Sequence, residues 1–154
     1  MGQCSDKMDK MIQGDKYVHT VKEFYGFLET EFGMKLQKVT ISGNYYYIVE
    51  YTDDKMRISI YYENIGSYFS DNISLLENGK LQDHDDKRFN INLNKLSTLI
   101  FPLITENEIT LNNVQFELFS VQNTIEKMLL KSAKELRICL GYLTAINFKF
   151  RYWE

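Results

Sequence analysis

Proline occurs once in 154 residues, at Pro102, and cysteine, histidine and tryptophan are nearly as scarce, at two, two and one. So few breakers argue against long disordered linkers, and a chain of this length buries a core without cross-links. The two thiols, Cys4 and Cys139, make no disulfide framework, so a reducing, cytoplasmic compartment is expected. Two isolated histidines, His19 and His84, do not form a paired-histidine zinc motif. No stretch reaches the roughly 20 apolar residues of a membrane span. Met1–Asp15 is polar and lacks the apolar centre of a signal peptide. The opening Met1-Gly2-Gln3-Cys4-Ser5 is similar to an acylated terminus, but Asp6 stands where a hydroxyl residue is wanted, so residues 1–14 read as a flexible tail and 15–154 as one domain. Strong charge is lacking too. Lys and Arg total 18 against 21 Asp and Glu, a formal net charge of −3. Nucleic-acid binding needs a basic footprint and is not expected, whereas a basic protein partner is compatible. Neither a Gly-x-Gly-x-x-Gly run nor a phosphate-loop lysine is present, which leaves nucleotide binding without support.

What the chain does have is aromatic residues, 11 Tyr and 10 Phe, concentrated where strands are expected. Tyr45, Tyr47, Val49 and Tyr51 alternate with Tyr46, Ile48 and Glu50. Met56, Ile58, Ile60 and Tyr62 alternate with Arg57, Ser59 and Tyr61. A period of two places one set on a buried face and the other on a wet one. Turn residues at Gly43-Asn44, Thr52-Asp53-Asp54-Lys55 and Asn64-Ile65-Gly66-Ser67 divide the segment 36–76 into four antiparallel strands. Before them, Val18, Val21, Tyr25, Leu28 and Phe32 recur at helical spacing over 17–32. Asp15 is positioned as a cap, Gly33 as a stop, and Gly26 is a weak point inside. After them, 77–88 is polar and without period, an exposed loop. Leu93, Leu96, Leu99 and Ile100 mark a short helix ended near Pro102. Residues 105–110 read as a connector and 113–141 as a long helix, with a break expected near Phe119 or Ser120 and a stop or kink at Gly141. Ile146, Phe148 and Phe150 alternate with Asn147, Lys149 and Arg151, the pattern of a closing strand. The fold class is α+β: an N-terminal helix on a four-stranded antiparallel meander, then C-terminal helices.

No catalytic constellation stands out, and neither a cofactor nor a metal is expected. Cys139 falls in an apolar helical pattern, as a structural thiol does, although pairing with His19 would make it a nucleophile. Asp83-His84-Asp85-Asp86 holds metal-capable groups but lacks the glycine and distant carboxylate of a calcium loop, so a solvated acidic loop is expected. Lys127, Lys131 and Lys134 share one helical side, most simply a solvated face. Lys149, Arg151, Tyr152 and Trp153 could stack a base but lack any further basic patch. Tyrosine is different, because either register of the meander puts it on both faces. Part of this is sheet packing. The rest, Tyr46 and Tyr61 rimmed by Glu50, Asp53, Asp54 and Glu63, has the composition of a protein-binding surface, with Asp83, Asp85 and Asp86 as an outlying acidic patch.

The run Phe24-Tyr25-Gly26-Phe27-Leu28-Glu29-Thr30-Glu31-Phe32-Gly33-Met34, followed by the strands Tyr45–Tyr51 and Met56–Glu63 and the turn at Gly66, resembles small bacterial immunity-type proteins encoded beside polymorphic toxins. It covers about residues 20–77, and implies a protein that binds a cognate toxin, blocks its active site and is not an enzyme. Two other classes stay open: a small-molecule or lipid-pocket protein with an apolar cavity between sheet and helix, and an enzyme using Cys139 or the acidic loop.

Overall fold

The computed structural model describes residues 11–146. The element order is α1 (Gly14–Phe24), α2 (Phe27–Thr30), β1 (Lys35–Ser42), β2 (Tyr46–Thr52), β3 (Met56–Glu63), β4 (Tyr68–Glu77), β5 (Lys80–Leu81), β6 (Asn90–Asn92), α3 (Leu93–Ile100), a 3-10 turn (Phe101–Leu103), α4 (Glu106–Val114) and α5 (Thr124–Ile146). The α+β class and the antiparallel meander stand as read from the sequence. The four long strands run β1-β2-β3-β4, and the short β5 and β6 both pair with β4. These two short strands were not expected. The turn that makes β5 uses Asn78 and Gly79, both at positive φ (54° and 75°), the geometry that closes a two-residue hairpin.

The helices differ from the sequence pattern in identifiable ways. The expected helix over 17–32 is two pieces, because the chain turns at Tyr25-Gly26 before α2 begins. Its start lies earlier: Gln13 is the N-cap and Asp15 sits in the first turn, where its charge faces the helix dipole. Ile12 is buried and Gly14 opens α1, so residues 12–14 belong to the packed fold and not to a tail. Gly14 is needed there: a Cβ would stand 2.7 Å from Ile41 Cγ2. Gly33 closes the segment at φ +69°, as expected. The connector at 105–110 is instead the start of α4, capped by Thr105, whose Oγ1 accepts from the Glu108 N–H at 3.2 Å. The long helix expected over 113–141 is interrupted from 115 to 123, across Phe119 and Ser120. It restarts as α5, where Asn123 Oδ1 accepts from the Glu126 N–H and the Glu126 carboxylate accepts from the Gln122 N–H. Gly141 neither stops nor caps α5, which continues to Ile146. The expected closing strand therefore loses Ile146 to that helix. Its remainder, with Lys149, Arg151, Tyr152 and Trp153, lies outside the described residues, as does Cys4.

Register decides which rings are buried. Tyr46 pairs with Glu63, Tyr47 with Tyr62 and Val49 with Ile60 across β2–β3, and Ile60 with Asp71 across β3–β4. Tyr47, Val49, Tyr51, Ile58, Ile60, Tyr62 and Ile73 therefore share the inner face, each at most 1% exposed. Against it pack Tyr17, Val21, Tyr25 and Leu28 near the N-terminus and Leu96, Ile100, Leu129, Leu136 and Leu140 from α3 and α5. Tyr17 lies between Tyr47 and Tyr62, with ring centroids at 5.3 and 5.7 Å. Burial of this apolar area is the main source of stability. The buried hydroxyls are mostly satisfied: Tyr17 donates to the Ile60 carbonyl and Tyr47 to the Ile12 carbonyl. The Asn64 amide, at the β3–β4 turn, donates to Tyr47 Oη and to the Asn44 and Ile12 carbonyls, tying the N-terminal segment to two turns. The inner face of the sheet and the helices thus share one core of buried side chains.

Candidate functional site

Among the described residues, the helices cover the inner face of the sheet and leave the outer face open. On that face β2 presents Tyr46, Ile48, Glu50 and Thr52, β3 presents Arg57, Ser59, Tyr61 and Glu63, and β4 opens with Tyr68. Tyr46 and Tyr61 are directly adjacent on the two strands, ring centroids 6.0 Å apart. Tyr61 meets Tyr68 edge-on, also at 6.0 Å. The Tyr61 hydroxyl donates to Glu63 Oε2 at 2.9 Å, fixing its ring. Tyr46 and Tyr61 are half-buried and Tyr68 is 56% exposed, so three rings form one accessible patch at one end of the meander. Aromatic side chains with a polar tip supply contact area at low entropic cost, which is why they are enriched in protein interfaces.

The acidic residues expected to rim this patch fall into separate groups. Glu63 belongs to it. Glu50 lies further along and is matched by Arg57 at 3.9 Å. Asp53 and Asp54 sit in the β2–β3 turn, roughly 20 Å from Glu63 along the strands. The Asp53 carboxylate is occupied, since its Oδ1 accepts from the backbone N–H groups of Lys55 and Met56 at 2.7 and 2.8 Å. It shapes the turn instead of facing a partner. Asp54 is exposed and makes no ion pair among the described residues. Asp86 is bridged by the Arg88 guanidinium through two bonds, which holds its carboxyl below the usual range. Asp83 and Asp85 flank the exposed His84 ring at 3.6 and 3.2 Å. These three residues could converge on a cation, but each is exposed and they share no buried scaffold.

The other candidates resolve structurally. Cys139 is fully buried in α5, 3.8 Å from Ser97 Oγ, and burial pushes its thiol up to about 12, the reverse of an activated nucleophile. His19 is 78% exposed and faces Glu23 at 3.8 Å, so it does not serve that thiol. No helix among the described residues is long and apolar enough to cross a membrane.

Three residues escaped the sequence reading. Tyr68 opens β4, and nothing in the local sequence marks its ring as part of the cluster. Asp71 is 3% exposed on the inner face, where its Oδ2 accepts from the Tyr25 hydroxyl at 2.8 Å and the Ser132 hydroxyl at 2.7 Å. Burial raises its pKa from 3.8 to about 7, against the lowering effect of those two bonds. The signal was present: Phe69, Asp71, Ile73 and Leu75 alternate on one face, and a single carboxylate interrupts that apolar series. Ser132 is the third, brought to Asp71 from α5 across 61 residues, which no local pattern reveals. No protein-family model, no curated protein and no solved structure matches the chain.

Proposed function

We propose that the protein acts by binding another protein through the open face of its sheet, in the manner of an immunity factor that neutralises a cognate toxin by covering its active site. One observation carries this function: Tyr46, Tyr61 and Tyr68 form a contiguous, accessible ring cluster on a sheet face that no helix among the described residues covers. Such rings act as anchors when a partner excludes water around them. The partner is basic in this account. Glu63 beside the rings, and Asp54, Asp83 and Asp85 at the other end, give an acidic surface that speeds encounter and sets partner choice, while the rings slow release. Glu50, Asp53 and Asp86 contribute less, because each is already engaged within the chain, and Glu63 and Asp83 each spend one oxygen, on the Tyr61 hydroxyl and the Asp85 N–H respectively.

The test is retention of a partner captured from the source cell by tagged protein. Replacing Tyr61 and Tyr68 by Ser weakens retention by about tenfold or more, as expected for anchors. Asp54→Lys, which leaves the turn bonds of Asp53 intact, lowers the association rate and its salt dependence. Retention unchanged by all three substitutions would remove this face as the interface. Protection of a host cell from the captured protein, when both are produced together, separates an immunity factor from an adaptor.

A further inference from the structure

On the side of the molecule where β4 meets the helices, a cleft of about 420 Å³ opens between the Gly66–Asp71 segment, the start of α3 and α5. We propose that this cleft binds a small organic cation, a primary ammonium or guanidinium group, with Asp71 at its floor and Glu135 on its wall as the countercharges. The volume lies within the range of small-ligand sites, about 300–1,000 Å³. Asp71 lines the cleft while 97% of its surface is shielded, and its Oδ1 has no hydrogen-bond donor among the described residues. Both donors within reach, Tyr25 and Ser132, are spent on Oδ2. A buried carboxylate with one oxygen sealed from solvent and without a donor is costly to ionise, and a cation seated over it in the cleft offsets that cost through its charge.

The alternatives fit less well. An anion would meet two carboxylates. An apolar ligand would leave the Asp71 charge as uncompensated as before. A divalent metal wants about six oxygens and would find too few here, because Oδ2 is already shared by two hydroxyls. Lys131 also lines the cleft, yet it is exposed and makes no ion pair with Asp71 or Glu135 among the described residues. Tyr68 and Phe69 also line the cleft, although the Tyr68 ring packs edge-on against Tyr61 on the opposite face of the sheet. The groups that bear on Asp71 are Tyr17 and Tyr25 from the N-terminal helix and its end, and Ser132, Lys131 and Glu135 from α5. Both tyrosines remain protonated, their pKa values raised well above 10 by burial. Asp71 itself, held near 7, is the group whose charge changes, so cation binding strengthens as it ionises.

This site does not depend on the protein-binding function proposed above, and it shares only Tyr68 with the ring cluster. The experiment is an NMR titration of the full chain with agmatine and with cadaverine, butane-1,4-diol serving as the uncharged control. Capped Gly-Arg-Gly and Gly-Lys-Gly tripeptides form a parallel arm. Saturable shifts confined to Ser67–Asp71, Asn92–Asn94 and Met128–Glu135 are expected, with affinity about tenfold higher at pH 8 than at pH 6. Saturation by the free amines identifies a soluble ligand, and saturation by the tripeptides alone identifies a side chain of another protein. Asp71→Asn removes the pH dependence, and Glu135→Gln, at a half-exposed position where folding is not at stake, weakens binding several-fold. Absence of saturable shifts with every cation, equal response to the diol, or affinity unaffected by Glu135→Gln and Asp71→Asn alike overturns the proposal.

Discussion

At the scale of single residues, the polar groups of the core divide into those with partners and those without, and their substitutions separate accordingly. Tyr47 and Tyr51 lie on the same inner face of β2, both fully buried, but the Tyr47 hydroxyl joins Asn64 to the Ile12 carbonyl whereas the Tyr51 hydroxyl has no partner among the described residues. Tyr47→Phe should destabilise by about 1–2 kcal/mol, while Tyr51→Phe should be neutral or stabilising, as read by urea denaturation. The reverse order would show that these hydrogen bonds are misassigned. Asp71 makes a sharper case. Between pH 4 and about pH 7 the folded protein keeps a proton on Asp71 that the unfolded chain has released, so stability from this group is full below about pH 4 and falls as pH rises to about 7. The loss is on the order of 4 kcal/mol. Asp71→Asn should abolish it, so the variant gains on the wild type steadily across that window and holds a constant lead above it. Parallel stability curves for the two proteins would contradict the burial assigned to Asp71. Position 71 was legible as inward-facing from the alternation of its neighbours. Its hydroxyl partners were not, because Tyr25 and Ser132 arrive from segments 46 and 61 residues away.

At the scale of elements, strands were read more faithfully than helices, and for a physical reason. A period of two with tight polar turns defines a strand within seven or eight residues, and β2, β3 and β4 lie where Tyr46–Thr52, Met56–Glu63 and Tyr68–Glu77 alternate. Helical spacing, by contrast, continues across a break if the next helix happens to keep phase. That happened at Tyr25-Gly26, whereas the break expected near Phe119 or Ser120 falls within the observed interruption between Val114 and Thr124. The caps carried the missing information. Thr105-Glu106-Asn107-Glu108 has the spacing of a capping box, and Asn123 stands three residues before Glu126. Thr105→Ala should cost about 1 kcal/mol by thermal or urea unfolding, since the Glu108 N–H loses its acceptor. A cost near zero would mean that α4 contributes little to the cooperative fold. The two short strands after β4 were invisible to periodicity because neither exceeds three residues.

At the scale of the molecule, the sheet has one face sealed by helices and one face left bare by the described residues, and this asymmetry underlies the functional account. The sequence showed that tyrosine must lie on both faces, but only pairing register assigns Tyr47, Tyr51 and Tyr62 to the core and Tyr46 and Tyr61 to the surface. The acidic rim was the least legible part. Charge can be counted in a sequence, yet whether a carboxylate is free depends on neighbours such as Arg57, Arg88 and the turn amides that occupy Glu50, Asp86 and Asp53. The central claim is that a partner seats on the bare face, over the rings. It is tested most directly by placing a photo-crosslinking amino acid in turn at position 61 and at Leu99, an exposed site on α3 at the helical side, and irradiating in the source cell. The account predicts a discrete protein adduct from position 61 and none from position 99; adducts from position 99 alone, or an equal pattern from both, would contradict it.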